Sequence, residues 1–466
     1  MSLNLPPAFT QLKLKTLPKP LATAANQLWS QLLAVPIQLG QLTRLSTNLS
    51  HLPNLWPVMQ FLEELTIKGK FYWQDRQHSL EVMGFGIADE YRSSDQSALG
   101  DFWSQMQTAT RGTKAVYFGG LSFDGHNGEG AWQGFDALRF ALPVVELRRT
   151  EQRFELSVQL HANSTTQWHQ QFNCAREILH RLSSSELPKL SELPAVKEHH
   201  HLTSKKQWQA QVQQSLEHIR DHQLDKVVLA RASAFVFNQP AHLASFANKW
   251  QQRTPGTFGF ALNFGAASFV GFSPERLLRQ LGTDIATEAL AGTQPRGTTE
   301  IDDVEYEQVL RNDPKLIHEH KLVADFITDQ LAPFSKHILS DAQVSVLKLA
   351  NVQHRQARYR AQLTSQDQTP SLLHALFPTP AVCGIPRQAA FDCIAKTEPT
   401  PRGWYAGSVG IIGDEMAEFS VAIRSGLLQS QRFINYAGAG IVQGSKAADE
   451  WDELNDKVNI VERLLN

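Results

Sequence analysis

The last third of the chain constrains the fold most. Three strand-like runs, "GWYAGSVGIIG", "AEFSVAIRSGLL" and "RFINYAGAGIV", follow one another there with turns between them. Upstream, "KVVLARASAFVF" reads as a buried strand and "GTFGFALNFGAASFVGFSPERLLRQ" as two more closed by a turn. Helical patterns interrupt these runs. Ser204 and Gln207 form a capping box ahead of Trp208, Val212, Leu216 and Ile219, and Asp313-Pro314 opens a helix through "KLIHEHKLVADFITDQL". Antiparallel runs broken by helices predict an α+β fold, with large, mostly antiparallel sheets flanked by helices, rather than a regular βαβ alternation.

At 466 residues the chain exceeds the size at which one hydrophobic core usually stops growing, so two parts or one large interleaved fold are expected. Residues 1–182 are strand-rich, with "SDQSALGDFWSQMQTA" as a helix among the strands. Residues 183–202, rich in Ser, Pro and charge, read as a linker, and residues 203–466 as the second part. His199, His200 and His201 fall in the linker and read as a mobile polar loop, because adjacent residues cannot all converge on one ion.

Forty-four Lys and Arg against 46 Asp and Glu leave a net charge of −2, which gives no support for a nucleic-acid or anionic-membrane surface. Cys174, Cys383 and Cys393 match neither a disulfide framework nor a zinc site. "MSLNLPPAFTQLKLKTLPKP" lacks the apolar core of a signal peptide, and no run approaches the about 18 apolar residues of a membrane span. A cytosolic protein, monomeric or homodimeric, is expected.

Several side chains stand where chemistry can occur. Lys226 opens the apolar strand "DKVVLAR", where it either snorkels to the surface or is desolvated into a general base, with Arg231 reinforcing that effect if it faces the same site. Glu275 follows Pro274 at a strand exit, as a catalytic group or as a charge at a helix start. Glu319 lies between His318 and His320 without the spacing of a two-histidine zinc helix; paired with a second helix carboxylate it gives the sparse oxygen shell that Mg²⁺ prefers. Arg424 sits among apolar neighbours and needs an anion. The glycine segments "ALAGTQPRG", "AVCGIPRQAA", "WYAGSVG" and "YAGAGIVQG" match no nucleotide fingerprint and read as turns or as backbone close to a small carboxylate ligand. In "EWDELNDK", Glu450, Glu453 and Lys457 share one helix face, either a solvated salt-bridge ladder or a site for metal and anion.

In this order, "KVVLAR", "GFSPERL", "TEALAGT", "HEHKLV", "NVQH", "FPTPAVCGIPR", "GWYAGSVG", "AIRSG", "YAGAGIV" and "EWDELNDK" resemble the chorismate-utilising enzymes. That family includes the anthranilate, aminodeoxychorismate, isochorismate and salicylate synthases. The resemblance is strong over about residues 203–460 and extends to the N-terminal part only in general layout. It implies Mg²⁺ on Glu319 and Glu453, with Glu450 in support. It further implies chorismate carboxylates gripped by Tyr405, Arg424, Lys457 and the backbone at Gly438 and Gly440, and a pocket lined by Thr293 and His354. Members that use water carry a lysine at the place of Lys226, the base for attack at C2. Glu275 matches the acid that protonates the departing C4 hydroxyl, which implies an isomerase making isochorismate. Ala381 stands where pyruvate-eliminating members tend to have threonine, which favours stopping at isochorismate over salicylate. The menaquinone-type isochorismate synthases look most similar, with a siderophore-type synthase as the alternative. Two departures are Cys383, often serine in relatives, and Leu316, acidic in some of them.

Overall fold

A computed structural model describes residues 19–50, 54–151, 153–184 and 187–465. Most of the N-terminal stretch read above for targeting signals lies outside the described residues. Two antiparallel sheets, of twelve and ten strands, form the frame, with helices packed around them, as the α+β reading anticipated. Both sheets draw strands from both ends of the chain. In the larger sheet, Lys70–Gln74 pairs with Phe258–Asn263, joining five early strands to the late ones. In the smaller sheet, Tyr117–Leu121 pairs with Ser408–Ile412 in the same manner. Between the sheets the aromatic rings of Trp132 and Phe135 interlock with Phe264, Phe269 and Trp404, so the core also spans both parts.

Two of the expected runs divide further, and the division places the site. "AEFSVAIRSGLL" forms two strands in different sheets: Met416–Val421 belongs to the smaller and Ser425–Gln429 to the larger. The chain turns at Arg424, whose φ of +50° is a conformation that side chains other than glycine rarely adopt. Likewise Ser268–Ser273 lies in the larger sheet and Arg276–Leu281 in the smaller, with Pro274 and Glu275 at the crossing. The two crossings are tied together. The Phe272 amide donates to the Arg424 carbonyl (3.0 Å), while the Val421 amide (3.1 Å) and the Ser420 hydroxyl (3.0 Å) donate to the Glu275 carbonyl.

The stretch expected as a linker contains structure. Val196–His201 is an edge strand on Lys226–Phe237. Strand geometry turns His199 and His201 to one face: His199 stacks on Phe235 with ring centres 4.2 Å apart, and His201 Nδ1 lies 2.9 Å from Ser233 Oγ. These are packing contacts, so the mobile-loop expectation is corrected for these histidines. Among the described residues, no group of three His, Cys, Asp or Glu is arranged to hold a metal ion. No helix there is long and apolar enough to cross a membrane.

Candidate active site

One cavity lies where the two crossings meet. Its floor is the long strand Lys226–Phe237 paired with Arg432–Val442, in register Val228 to Gly440 and Ala230 to Gly438. Ser425–Gln429 covers the far side of Arg432–Val442 only as far as Tyr436, so from Ala437 onward that edge has no neighbouring strand and borders the cavity. Two helices close the other side. Pro314–Leu331 packs on the strand Asp284–Pro295, and Ala447–Leu465 packs on Arg432–Val442.

Each helix starts for a local reason. Asp313 caps the first, its carboxylate accepting the Leu316 amide at 3.0 Å, with Pro314 in the first turn where its missing N–H costs nothing. The second carries Asp449 and Glu450 in its first turn, favourable against the positive end of the helix dipole. It buries Trp451, Leu454, Val458 and Val461 and leaves Glu453 and Lys457 beside the cavity.

Thr293, Glu319, His354, Ala381, Tyr405, Arg424, Gly438, Gly440, Glu450, Glu453 and Lys457 all border this cavity, as does Glu275. Lys226, only 1% exposed, lies behind the lining and touches it through Glu319, its Nζ donating to Glu319 Oε1 at 2.9 Å. Gly440 leaves the room for that contact: a Cβ there would stand 3.1 Å from Lys226 Cε and 3.3 Å from Glu319 Oε1. Arg231, five residues along the strand, faces the opposite side. It donates to Asn455 Oδ1 (2.9 Å) and lies over the Trp451 ring, so it does not reinforce Lys226.

The cavity's electrostatics divide by wall. Burial, aided by the Glu288 charge and opposed by Lys226 and Thr379, pushes the Glu275 carboxyl up to about 8, so it carries its proton at neutral pH. Burial also raises Glu450, and the neighbouring Glu453 charge adds to this. Burial works against Glu453 too, but Lys457, Lys315 and Arg424 outweigh it and hold that carboxyl below its usual range. Lys457 Nζ donates to Glu453 Oε1 (2.5 Å) and to the Gly438 carbonyl (2.8 Å). Burial, with Arg424 and Lys457, drives His354 down to about 3, leaving a neutral imidazole whose Nδ1 lies 3.0 Å from Thr293 Oγ1.

Two polar atoms in the walls, Arg424 Nη1 and His354 Nε2, are buried without a hydrogen-bond partner in the protein. Buried polar atoms in this condition fit a bound anion that completes them. Tyr405, pushed up to about 12 by burial, stacks on Tyr436 with ring centres 5.1 Å apart, which fixes its hydroxyl at the same wall.

Residues 36–466 match the family model described as chorismate binding enzyme. The chain belongs to that family. Isochorismate synthase 2 (chloroplastic) of Arabidopsis thaliana is 32% identical over 391 residues, covering 82% of this chain and 69% of that protein. Isochorismate synthase MenF of Escherichia coli K12 is 31% identical over 397 residues, covering 85% and 88%. The solved structure of MenF, the menaquinone-specific isochorismate synthase from Escherichia coli, superposes with a TM-score of 0.84 at 27% identity. That match covers 96% of this chain and all of the other.

Some cavity groups of this chorismate-binding enzyme escaped sequence reasoning. Lys315 pairs with Glu450 at 3.4 Å, and its position four residues before Glu319 on one helix was a usable signal. Pro274, Leu290 and Ile423 also line the cavity. Leu316, expected as a departure from relatives, is an apolar part of its wall. Cys383 lies buried under the floor, its carbonyl accepting the Val228 amide at 2.8 Å and its thiol pushed up to about 12 by burial.

Proposed function

We propose that this chorismate-binding enzyme is an isochorismate synthase, an isomerase that moves the hydroxyl of chorismate from C4 to C2. The observation that carries the reading is the pair Lys226 and Glu275: the protonated carboxyl borders the cavity, and the amine lies against its wall on Glu319. A water molecule attacks C2 while Lys226 takes its proton. The ring double bonds shift, and the C4 hydroxyl departs as water after Glu275 donates its own proton. One proton is taken up and one released, and no electrons change hands. The base must approach the water from Nζ, so its contact with Glu319 loosens when the site is loaded.

Arg424, Tyr405 and Lys457 hold the two carboxylates, helped by the open strand edge at Gly438 and Gly440. Thr293 and His354 orient the ring, with the neutral imidazole accepting or donating one hydrogen bond. Ala381 leaves the wall without the hydroxyl expected in members that go on to eliminate pyruvate. Mg²⁺ is the metal we assign to Glu319 and Glu453, with Glu450 behind them. The donors present are carboxylate oxygens without sulfur or a second histidine, which suits a hard cation that keeps several waters and takes the rest of its shell from substrate. When bound, the ion supplies positive charge that neutralises a substrate carboxylate. The similarity to the menaquinone-specific enzyme supports a product that enters menaquinone synthesis, with a siderophore pathway as the alternative.

Incubation with chorismate and Mg²⁺, followed by chromatographic separation, tests the proposal. Isochorismate without pyruvate is the expected result. Salicylate with pyruvate replaces it by the salicylate synthase reading, and anthranilate formed from ammonia removes Lys226 from its role.

A further inference from the structure

The residues behind Glu275 come partly from the far end of the sequence. Arg76 sits in the turn between the strands Lys70–Gln74 and Leu80–Phe85, about 200 positions earlier. Its Nη1 donates to the Pro274 carbonyl (2.7 Å) and to Glu288 Oε1 (2.6 Å), and its Nη2 donates to Glu288 Oε2 (2.8 Å). Glu288, 2% exposed on the strand Asp284–Pro295, also accepts the Arg276 amide (2.9 Å) and Gln356 Nε2 (2.7 Å). Arg76 therefore grips, in a bidentate fork, the carboxylate that lies next to Glu275, and in the same gesture the peptide that precedes Glu275.

We infer that Arg76 and Glu288 are positioning residues for the acid of the reaction: the pair anchors the Pro274–Glu275 peptide and sets a carboxylate beside the Glu275 carboxyl. The inference rests on the reading of Glu275 proposed above. Two like charges side by side in a buried site cannot both ionise cheaply, and the one with more hydrogen-bond donors keeps its charge. Glu288 holds four such donors. Around Glu275 the other groups are few: Lys226 from the floor strand, Thr379 from the loop after Phe377, and the Ser273 hydroxyl on its own amide (3.3 Å). Of these only Lys226 is charged, and it pulls the carboxyl down. Glu288 is the charge that opposes it.

The test uses the full chain. Glu288→Gln keeps the size and some of the hydrogen bonds but removes the charge. Its kcat/KM profile is expected to lose activity on the alkaline side at a pH about one unit or more below that of the unmodified enzyme. In parallel, the infrared carboxylic-acid band that disappears in Glu275→Gln titrates with the same downward shift. If Glu288→Gln does not fold, Arg76→Gln with Glu288→Gln leaves no unpaired buried charge; its alkaline limb is expected to move in the same direction but by less, because a positive charge leaves with the negative one. Arg76→Lys retains one donor for Pro274 and is expected to lower kcat while leaving KM close to its starting value. An unchanged alkaline limb and an unchanged infrared midpoint in a folded variant, with only thermal stability reduced, overturn the inference. If the unmodified protein makes no isochorismate yet the infrared midpoint still falls in Glu288→Gln, the pair does what is inferred and the proposed function is what fails.

Discussion

The floor and the roof of the cavity handle charge in different ways. On the floor and at the sheet crossing, Lys226 and Glu275 are 1% and 3% exposed; Lys226 hangs from a strand paired on both sides, and Glu275 from a crossing whose carbonyl accepts two hydrogen bonds. On the roof, the Glu319 and Glu453 side chains are 24% and 41% exposed and sit on two separate helices, each satisfied by a lysine it can exchange. A group that moves a proton needs a fixed distance from the atom it serves, which a buried, hydrogen-bonded backbone supplies. Groups that accept a hydrated cation and a substrate need access to water and replaceable partners. On the proposed reading, the same two residue types, lysine and glutamate, take on opposite tasks through the rigidity and wetness of the element that bears them.

The largest expected break in this comparison comes on the floor. Lys226→Ala removes the base from a site with no other amine below the ring, and kcat should fall about 10³-fold, the usual scale for a positioned base. Chorismate binding, followed by calorimetry, should survive because the carboxylate contacts lie elsewhere. Retained turnover would falsify the role given to Lys226. The roof should fail differently. Glu453→Ala is expected to weaken divalent-ion binding about 100-fold or more, read directly from Mn²⁺ paramagnetic resonance, and to lower activity in proportion at limiting metal. Unchanged ion binding would return the helix face to a solvated salt-bridge ladder.

The acid gives a smaller and reversible effect. Glu275 must hold its proton to act, and its folded-state value of about 8 lies above the ordinary carboxyl value. On its alkaline side, activity is therefore expected to decline as pH rises through that value, tenfold for each further unit. The measurement is kcat/KM against pH; a flat profile up to pH 10 would remove Glu275 as the acid.

The floor was more legible in the sequence than what stands behind it. "KVVLAR" and "RFINYAGAGIV" carry continuous apolar character, which marks strands covered on both faces, and they emerged as Lys226–Phe237 and Arg432–Val442. The roof was legible too, because helical spacing alone puts Glu450, Glu453 and Lys457 on one face. "AEFSVAIRSGLL" misled, since a strand that leaves one sheet for another keeps its apolar character across the break, and a positive φ at Arg424 has no signature in a residue other than glycine. Residues 196–201 misled for the converse reason: an edge strand with one exposed face tolerates histidine, lysine and glutamate, so its composition resembles a loop. Arg76 left no local mark, because its partners lie about 200 positions away and only the pairing of Lys70–Gln74 with Phe258–Asn263 brings them together.

The finest test separates the roof's stability from its ion binding. Asp313 caps the helix that carries Lys315 and Glu319, and Thr299 caps the preceding helix, Glu300–Asn312, which contributes nothing to the cavity. Both caps are side-chain oxygens accepting a backbone N–H in the first turn, so Asp313→Ala and Thr299→Ala should each cost about 1 kcal/mol of stability. Their effects on the site should differ. Loss of the Asp313 cap frays the turn that sets Lys315 and Leu316, one turn before Glu319, and so should weaken Mn²⁺ binding several-fold while leaving the alkaline limb set by Glu275 in place. Loss of the Thr299 cap should lower the unfolding temperature alone. Equal ion affinity in the two variants would mean that the roof holds its carboxylates through packing on Asp284–Pro295 rather than through its helix start, and that the exchangeable wall is stiffer than its exposure implies.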